Sequence, residues 1–395
     1  MNQKKLRIAL DARALTGRFT GDRTYWLNLT RSLAILKESS DIEFLLYTRT
    51  PIPIDLLPES PNLKQIVLPA SNDRVWTLAT LPLALRKAGA DLLHVQYTTP
   101  IPGLCPCPVV TTVHDITFKL FPEWYGAKDR LLLNLTVPLA LKQATRIITV
   151  SNSSREDILK TYSVSPSKVV ATPLGLPEEF VSEIERQKEV EVAEPSKRLL
   201  EKYGVEPPFV LSVGVLQPRK NNRLLIEAFA KAKTKFHLPH KLYFIGKLGW
   251  KTDLTELKEV ARRNGGDEAV DAIQFPGYVE DSDLPALYRT CDLFAHSALY
   301  EGFGIPPLEA MACGAPVLVS DAPALPEVVG NAAKIVPSND VDAWVEALGE
   351  LLQNAELRKS YSERGKSRAK LFRWEDTAKQ TLKVYLEAIE TKARK

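Results

Sequence analysis

Short apolar runs alternate along the chain with longer segments of helical period. In the first half, the apolar runs predict buried strands at residues 6–10, 44–47, 63–68, 92–95, 109–113 and 147–150. The segments between them predict helices, the clearest at 24–38, 76–87 and 153–162. Ser151 and Ser153 are candidate N-caps for the last of these helices. Continuous apolar strands separated by helices indicate a parallel sheet covered on both faces.

The same alternation restarts after a charged segment, 182–208, that closes with two prolines. Strands are predicted at 209–213, 242–245, 273–275, 293–295 and 317–319, and helices at 224–233, 254–264, 284–289, 308–313 and from residue 340 onward. The pattern therefore predicts two α/β domains in tandem, 1–180 and 209–375. Residues 181–208 form the predicted interdomain region, part of which could be helical.

Composition limits the function classes. The chain has 395 residues, of which 45% are hydrophobic and 25% charged, as in ordinary globular proteins. A net charge of +4 without a basic stripe argues against a nucleic-acid-binding protein, and four cysteines are too few for a disulfide framework. No run approaches the ~20 apolar residues that span a bilayer, so we expect a cytoplasmic protein. The longest apolar segment, 131–141, could contribute apolar surface for contact with a membrane, but a buried helix is the favoured interpretation.

Several polar residues follow predicted strands of the first domain, where open α/β sheets bind their ligands. Gly17 and Gly21 lie in the loop after the first strand, which could approach a phosphate closely or form a plain surface turn. His114 and Asp115 directly follow the strand 109–113, and either a structural or a catalytic role is open to them.

A second group near 92–95 is expected to be structural. It comprises His94, Gln96 and Tyr97.

In the second domain, Gly214 ends a strand, and Arg219 and Lys220 then precede a helix. Two adjacent cations beside a helix N-terminus favour a diphosphate over a solvated basic surface.

The most informative segment is YEGFGIPPLE, which begins at Tyr300. Gly302 and Gly304 let backbone N–H groups approach a ligand, and a proline suits the first helical turn that follows. Glu301 and Glu309 are too far apart for a close acid pair. They are suited to bind a diol on each of two rings of an extended ligand, which describes a nucleotide diphosphate sugar.

These segments resemble glycosyltransferase family 4, the group 1 retaining enzymes of the GT-B fold, over nearly the whole chain. The most specific part is the Glu-x7-Glu element of Glu301 and Glu309 within SALYEGFGIPPLEAMACGAPV. The overall pattern is nearest to mannosyltransferase-like members. The resemblance implies an α/β protein with two Rossmann-like domains that face a central cleft, and a last helix, 376–395, that returns to the first domain.

The resemblance also implies roles for individual residues. Arg219 and Lys220 would neutralise the donor diphosphate beside Gly214, and Glu309 would hold the ribose hydroxyls. Glu301 would contact the transferred sugar, with the amides of Gly302, Phe303 and Gly304 nearby. His114 and Asp115 would stand at the reaction centre, and Gly21 would line the donor phosphate. Arg23 takes the place of a glycine that is frequent in the family, which puts the acceptor side in question.

No carboxylate is an obvious nucleophile, so the resemblance favours front-face displacement by the acceptor hydroxyl. Asp281-Ser-Asp283 has the form of a metal-binding DxD motif, but a helix cap is the favoured interpretation. Cys105 and Cys107 form a single CxC without a partner pair, which argues against zinc. We therefore expect no metal and no cofactor.

The expected function is the transfer of a hexosyl group, with mannosyl favoured, to a glycan or lipid-linked acceptor. GDP-mannose is the first expectation for the donor and a UDP-sugar the second. A lipid-linked acceptor would bring peripheral contact with the inner face of a membrane. The alternatives are a nucleotide-sugar epimerase of the same architecture and a non-catalytic nucleotide-sugar-binding protein, since a fold alone does not define an activity.

Overall fold

The computed structural model describes residues 5–17, 21–101, 103–186 and 195–393. The chain forms two compact units, one of Met1–Gly175 with Arg373–Lys395 and the other of Leu176–Phe372. The boundaries inferred from the sequence, at 180, 208 and 375, remain predictions. Of the charged segment 181–208, the stretch 187–194 lies outside the described residues, and helices occupy Glu178–Arg186 and Pro195–Lys202.

The first unit is built on one sheet of parallel strands, in the order β3-β2-β1-β4-β5-β6-β7. The strands are β1 (Leu6–Asp11), β2 (Ile42–Thr48), β3 (Leu63–Val67), β4 (Leu92–Gln96), β5 (Val109–Thr112), β6 (Arg146–Thr149) and β7 (Val169–Ala171). The helices are α1 (Gly21–Ile35), α2 (Asp73–Val75), α3 (Leu81–Ala88), α4 (Thr117–Leu120), α5 (Ala127–Gln143) and α6 (Asn152–Thr161), with a π-helical turn at Trp76–Thr80. Ser151 caps α6, because its hydroxyl accepts a hydrogen bond from Ser154 N at 3.0 Å.

The second unit repeats this plan with a sheet of parallel strands in the order β10-β9-β8-β11-β12-β13. The strands are β8 (Phe209–Val213), β9 (Lys241–Ile245), β10 (Ile273–Gly277), β11 (Leu293–His296), β12 (Val317–Ser320) and β13 (Lys334–Val336). The helices are α7 (Glu178–Arg186), α8 (Pro195–Lys202), α9 (Asn222–Phe236), α10 (Leu254–Ala272), α11 (Leu284–Thr290), α12 (Ile305–Ala312), α13 (Leu325–Val329), α14 (Val341–Gln353) and α15 (Ala355–Ala369). Counted from its own first strand, the order is 3-2-1-4-5-6, which is Rossmann-like.

The last helix, α16 (Trp374–Ala393), belongs to the first unit. The Tyr385 hydroxyl lies 2.6 Å from Nδ1 of the buried His94, and the Thr377 hydroxyl donates to Pro173 O at 2.6 Å. A Cβ at Gly175 would lie 2.1 Å from Trp374 N, so the backbone can pass α16 only with glycine there. The interior of the first unit is therefore completed by the end of the chain.

Two expectations about helices are wrong. Helix α1 begins at Gly21, so Gly21 is a helical residue and not part of the preceding loop. The segment 131–141 is helical, within α5, but it is not buried on all sides, because Leu131 and Leu135 are 64% and 58% exposed. Helix α5 is apolar on its packed face and on part of its solvent-exposed face. A helix with apolar residues on both faces has the same sequence pattern as a fully buried helix, so the sequence predicted burial.

Candidate active site

The predicted donor residues lie on the two loops that follow β8 and β11. These strands are neighbours at the centre of the second sheet, where the strand order reverses direction. Ligands of open α/β sheets bind at this reversal, outside the carboxyl ends of the strands. The two loops are joined by the backbone bond from Leu299 N to Arg219 O, at 2.8 Å, and by the Ser297 hydroxyl, which donates to Lys220 O at 3.0 Å. Their side chains are therefore held in fixed proximity.

Arg219, Lys220 and Glu301 form one hydrogen-bonded ion cluster. Lys220 Nζ lies 2.6 Å from Glu301 Oε1, and Arg219 Nη1 lies 2.8 Å from Glu301 Oε2. Burial on its own would raise the pKa of the Glu301 carboxyl, but the two cations outweigh burial and hold that pKa well below its usual range. Burial lowers the pKa of the Lys220 ammonium, so its charge depends on Glu301.

His296 is a member of this cluster that the sequence analysis missed. Its Nε2 lies 3.0 Å from Glu301 Oε1, and burial together with Lys220 lowers the pKa of His296 to about 4. The imidazole is therefore neutral at pH 7, and its Nε2 carries the proton that it donates to the ionised carboxylate. A single histidine at the end of a strand gives no signal of this role in the sequence, because its partner is defined only by the fold.

Backbone conformation and close contacts favour glycine at two positions of the site. Gly214 has a φ of 143°, and a Cβ there would meet Lys220 Cε at 3.3 Å. Gly304 precedes α12 with a φ of 113°, and its Cβ would lie 2.6 Å from Leu325 Cδ2. Phe303 is buried and makes an edge-to-face contact with Phe372. These contacts hold the loop from Gly302 to Gly304 in one conformation, with its backbone amides at the N-terminus of α12.

Glu309 lies on α12, where the Tyr288 hydroxyl donates to its Oε2 at 3.0 Å. Burial raises the pKa of Glu309 to about 7, with Asp281 and Glu179 adding to the effect and Tyr288 opposing it. Lys220 acts electrostatically on Glu309 as well as on Glu301. The two carboxylates therefore belong to one electrostatic environment and differ in protonation: Glu301 is fully ionised at neutral pH, and Glu309 is near its titration midpoint.

The first unit contains a cavity of about 1120 Å³ at the carboxyl ends of its central strands. Asp11, Asp22 and Gln96 line its polar end, and Leu132 and Leu139 line its apolar wall. A cavity with a few convergent polar groups and an apolar wall is typical of a ligand site.

His114 lies next to this polar end. The Gln96 amide nitrogen is 2.8 Å from His114 Nε2, and Asp22 Oδ1 is 3.6 Å away. Burial lowers the pKa of His114 despite the neighbouring carboxylates, so the ring is neutral at pH 7 and accepts a hydrogen bond from the amide. Of the group expected to be structural, His94 is buried between Thr112 and Tyr385, whereas Gln96 and Tyr97 line the cavity.

The other predicted residues of this unit have local partners. Asp115 accepts hydrogen bonds from the backbone N and the hydroxyl of Thr117, which ties it to the start of α4. A Cβ at Gly21 would meet no atom of the described residues within 4 Å, so none of these residues requires glycine there. Arg23 is buried and donates from Nε to Leu15 O at 3.3 Å.

Within Asp281-Ser-Asp283, Asp283 lies at the predicted N-cap position of α11 but lacks the hydrogen bond of a cap. Its Oδ2 instead accepts from Lys202 Nζ and the Tyr203 hydroxyl, both at 2.8 Å. Among the residues that the structure describes, no group of three or more His, Cys, Asp or Glu is placed to hold a metal ion. Cys105 and Cys107 are free thiols 3.8 Å apart.

Two glycosyltransferase family models together match most of the chain. The family model of group 1 glycosyl transferases matches residues 197–368, and that of glycosyltransferase family 4 matches residues 24–180. O-antigen chain mannosyltransferase B of Escherichia coli is 35% identical over 281 residues, which are 70% of this chain and 69% of that protein. The chain belongs to the group 1, family 4 glycosyltransferases. This membership confirms the resemblance and the enzyme class, and it decides against the epimerase and the non-catalytic binding protein.

Two further comparisons describe the extent of the likeness. Serotype-specific mannosyltransferase WbdA of Escherichia coli is 26% identical over 79% of this glycosyltransferase, which spans 39% of that longer protein. Sucrose-phosphate synthase of Thermosynechococcus elongatus matches with a TM-score of 0.70 at 20% identity, covering 98% of this chain and all of that one. The structural likeness agrees with the two Rossmann-like units and confirms the GT-B fold.

Proposed function

We propose that this glycosyltransferase transfers a mannosyl group from GDP-mannose to a hydroxyl of a glycan or lipid-linked acceptor, with retention of anomeric configuration and without a metal ion. The observation that carries the proposal is the cluster of Arg219 and Lys220 on Glu301, with Glu309 in the same electrostatic environment. The sugar is proposed from the mannosyltransferases to which the chain is similar. A UDP-sugar is the second candidate for the donor.

The donor-binding roles follow from charge. The diphosphate would share Arg219 and Lys220 with Glu301, because two cations on one carboxylate leave a net positive charge that favours a second anionic partner. Backbone N–H groups of Phe303 and Gly304 would add to the anion site at the start of α12. Glu309 would accept hydrogen bonds from the ribose hydroxyls, for which it must be ionised.

The chemical step would need little covalent participation from the protein. The bond between the anomeric carbon and the diphosphate oxygen breaks, and the acceptor oxygen forms its bond on the same face of the sugar. The acceptor proton passes to an oxygen of the departing diphosphate. Arg219 and Lys220 would stabilise the negative charge that grows on this leaving group, which is the main electrostatic requirement of the transition state.

The acceptor would bind in the cavity of the first unit. Its polar end offers Asp22, Gln96 and the neutral His114 as hydrogen-bonding partners for hydroxyl groups. This arrangement supports a sugar-bearing acceptor and explains why the cavity combines polar groups with an apolar wall.

The test is a transfer assay with GDP-mannose, UDP-glucose and UDP-N-acetylglucosamine on glycan acceptors, followed by NMR of the product's anomeric centre. The proposal expects transfer from GDP-mannose, an α-linked product and unchanged rates in EDTA. A β-linked product would contradict retention, and transfer from a UDP-sugar alone would contradict the donor.

A further inference from the structure

Helix α5 exposes a stripe of leucines to solvent. Leu131, Leu132, Leu135 and Leu139 are 64%, 43%, 58% and 58% exposed. Their spacing of one, three and four residues places them on one face of the helix. The opposite face, with Val137 and Leu141, packs into the core of the first unit. An exposed run of this size on a globular unit is unusual and marks an interaction surface.

A second apolar stripe lies on the π-helical turn and the helices that flank it. Val75, Leu78 and Leu83 are exposed there, and Leu78 lines the same cavity as Leu132 and Leu139. Ile101, on the loop after β4, is exposed and lines the cavity as well. The leucine face therefore continues into the walls of the proposed acceptor cavity.

Basic side chains flank both stripes. On α5, the exposed charged residues are Lys128, Asp129 and Arg130 at the start and Lys142 at the end, a net charge of +2. On α3, Arg86 and Lys87 are exposed in the last turn. Long basic side chains at the ends of an apolar helical face can reach lipid phosphates while the leucines enter the acyl boundary.

We propose that the leucine face of α5, extended by Leu78, docks this protein onto an anionic lipid bilayer. Among the described helices, none combines the length and apolarity that a membrane crossing requires, so contact would be peripheral. The cationic ends match the negative surface of such a bilayer. A second copy of this chain offers the same positive charge at this face, so the charge disfavours self-association.

The docked orientation would give the cavity a specific relation to the membrane. Leu132 and Leu139 belong both to the leucine face and to the cavity wall. The cavity would therefore open beside the bilayer surface, within reach of the head group of a membrane-embedded acceptor. Docking itself does not rest on the proposed donor or reaction, and its test does not use activity.

The test is co-sedimentation of the full-length protein with vesicles of phosphatidylethanolamine and phosphatidylglycerol, and with vesicles of phosphatidylethanolamine and phosphatidylcholine. The double variant Leu131→Gln/Leu135→Gln removes two leucines of the face that lie outside the cavity lining. We expect the wild type to bind the anionic vesicles and the double variant to bind them at least ~10-fold more weakly. The triple variant Lys128→Gln/Arg130→Gln/Lys142→Gln should lose binding to anionic vesicles.

The matched control is Ile35→Gln/Ile54→Gln, which replaces two exposed isoleucines of the same unit outside the leucine face. It should bind like the wild type, and all variants should retain wild-type thermal stability. Equal vesicle binding by the wild type and the leucine variant would overturn the proposal. So would a wild type that ignores vesicles but forms a dimer that Leu131→Gln/Leu135→Gln dissociates.

Discussion

The ammonium of Lys220 lies 2.6 Å from Oε1 of Glu301, although 81 positions separate the two residues in the chain. The carboxylate is an internal counterion, which keeps a buried lysine charged in the absence of a ligand. On the proposed function, the donor diphosphate takes over part of this role. Glu301 is then able to accept hydrogen bonds from sugar hydroxyls, so one pair links donor binding to sugar recognition.

Replacing Lys220 with alanine is expected to reduce transfer at least ~100-fold, the scale of losing a charge-stabilising group. The loss is expected in donor affinity and in kcat, because the positive charge holds the bound diphosphate and stabilises it further as it departs. The measurement is steady-state kinetics with the donor varied.

A matched control for this variant is Lys231→Ala on α9, which removes a lysine paired with Glu227 one helical turn away. This pair is worth at most about 0.5 kcal/mol, so activity should be unchanged. Near-normal transfer by Lys220→Ala would show that Lys220 does not act on the donor diphosphate.

Replacing Glu309 with glutamine is expected to stabilise the unliganded protein at pH 8. Folding raises the pKa of this carboxyl from 4.5 to about 7, so the folded state holds a proton that the unfolded state loses. The free energy of unfolding of the wild type therefore falls by up to about 3 kcal/mol as the pH rises from 4.5 to about 7. Below this range the carboxyl is protonated in both states, and this loss of stability is absent. Thermal unfolding should show a higher Tm for the variant at pH 8 and little difference at pH 4.5.

The same Glu309→Gln variant should bind GDP-mannose more weakly at pH 8, because the amide accepts fewer hydrogen bonds from a diol than a carboxylate does. Wild-type affinity should also fall as the pH drops below about 7, and the variant should lack this step. An unchanged Tm together with unchanged affinity would show that the ionised Glu309 carboxylate neither destabilises the fold nor binds the donor.

Two glycine substitutions should separate backbone strain from ligand contact. Gly304→Ala should destabilise the protein by about 1–3 kcal/mol, since its φ is positive and its Cβ would overlap Leu325. Gly21→Ala should leave the Tm unchanged, because its Cβ meets no atom within 4 Å in the part of the chain that the structure describes. If the donor phosphate approaches Gly21, as the family resemblance implies, the substitution should raise KM without changing stability. Equal Tm losses in both variants would contradict this distinction.

Chelation is expected to leave transfer unaffected. The diphosphate charge is assigned to Arg219 and Lys220, and Asp283 of the DxD-like segment is already bonded to Lys202 and Tyr203. Assays in EDTA, with and without added Mn²⁺, measure this directly. A loss of activity in EDTA that Mn²⁺ restores would refute metal independence.

Most strands were predictable because the strands of a parallel sheet with both faces covered are buried on both sides. Such strands appear in the sequence as short continuous apolar runs. The strand Phe209–Val213 has the predicted bounds, and the first unit's sheet contains each predicted run. The strands Val169–Ala171 and Lys334–Val336 were missed, since three residues are too few for a periodic signal. The exposure of Leu131 and Leu135 was missed because a linear pattern does not say which apolar face has a partner.

The candidate site was predictable where its residues lie close in the sequence. Glu301, Gly304 and Glu309 are within one loop and helix, so their spacing carries information. The contact of Glu301 with Lys220 and the contribution of His296 arise from the neighbouring positions of β8 and β11 in the sheet. The linear pattern contains no measure of that proximity, and the pKa of about 7 at Glu309 likewise depends on its burial.

The most direct test of the central claim is a calorimetric titration of GDP-mannose, in EDTA, into the wild type and into Lys220→Ala. The account predicts saturable binding to the wild type and at least ~10-fold weaker binding to the variant, with Lys231→Ala binding like the wild type. Equal affinity in the wild type and Lys220→Ala, or binding that requires a metal ion, would contradict the account.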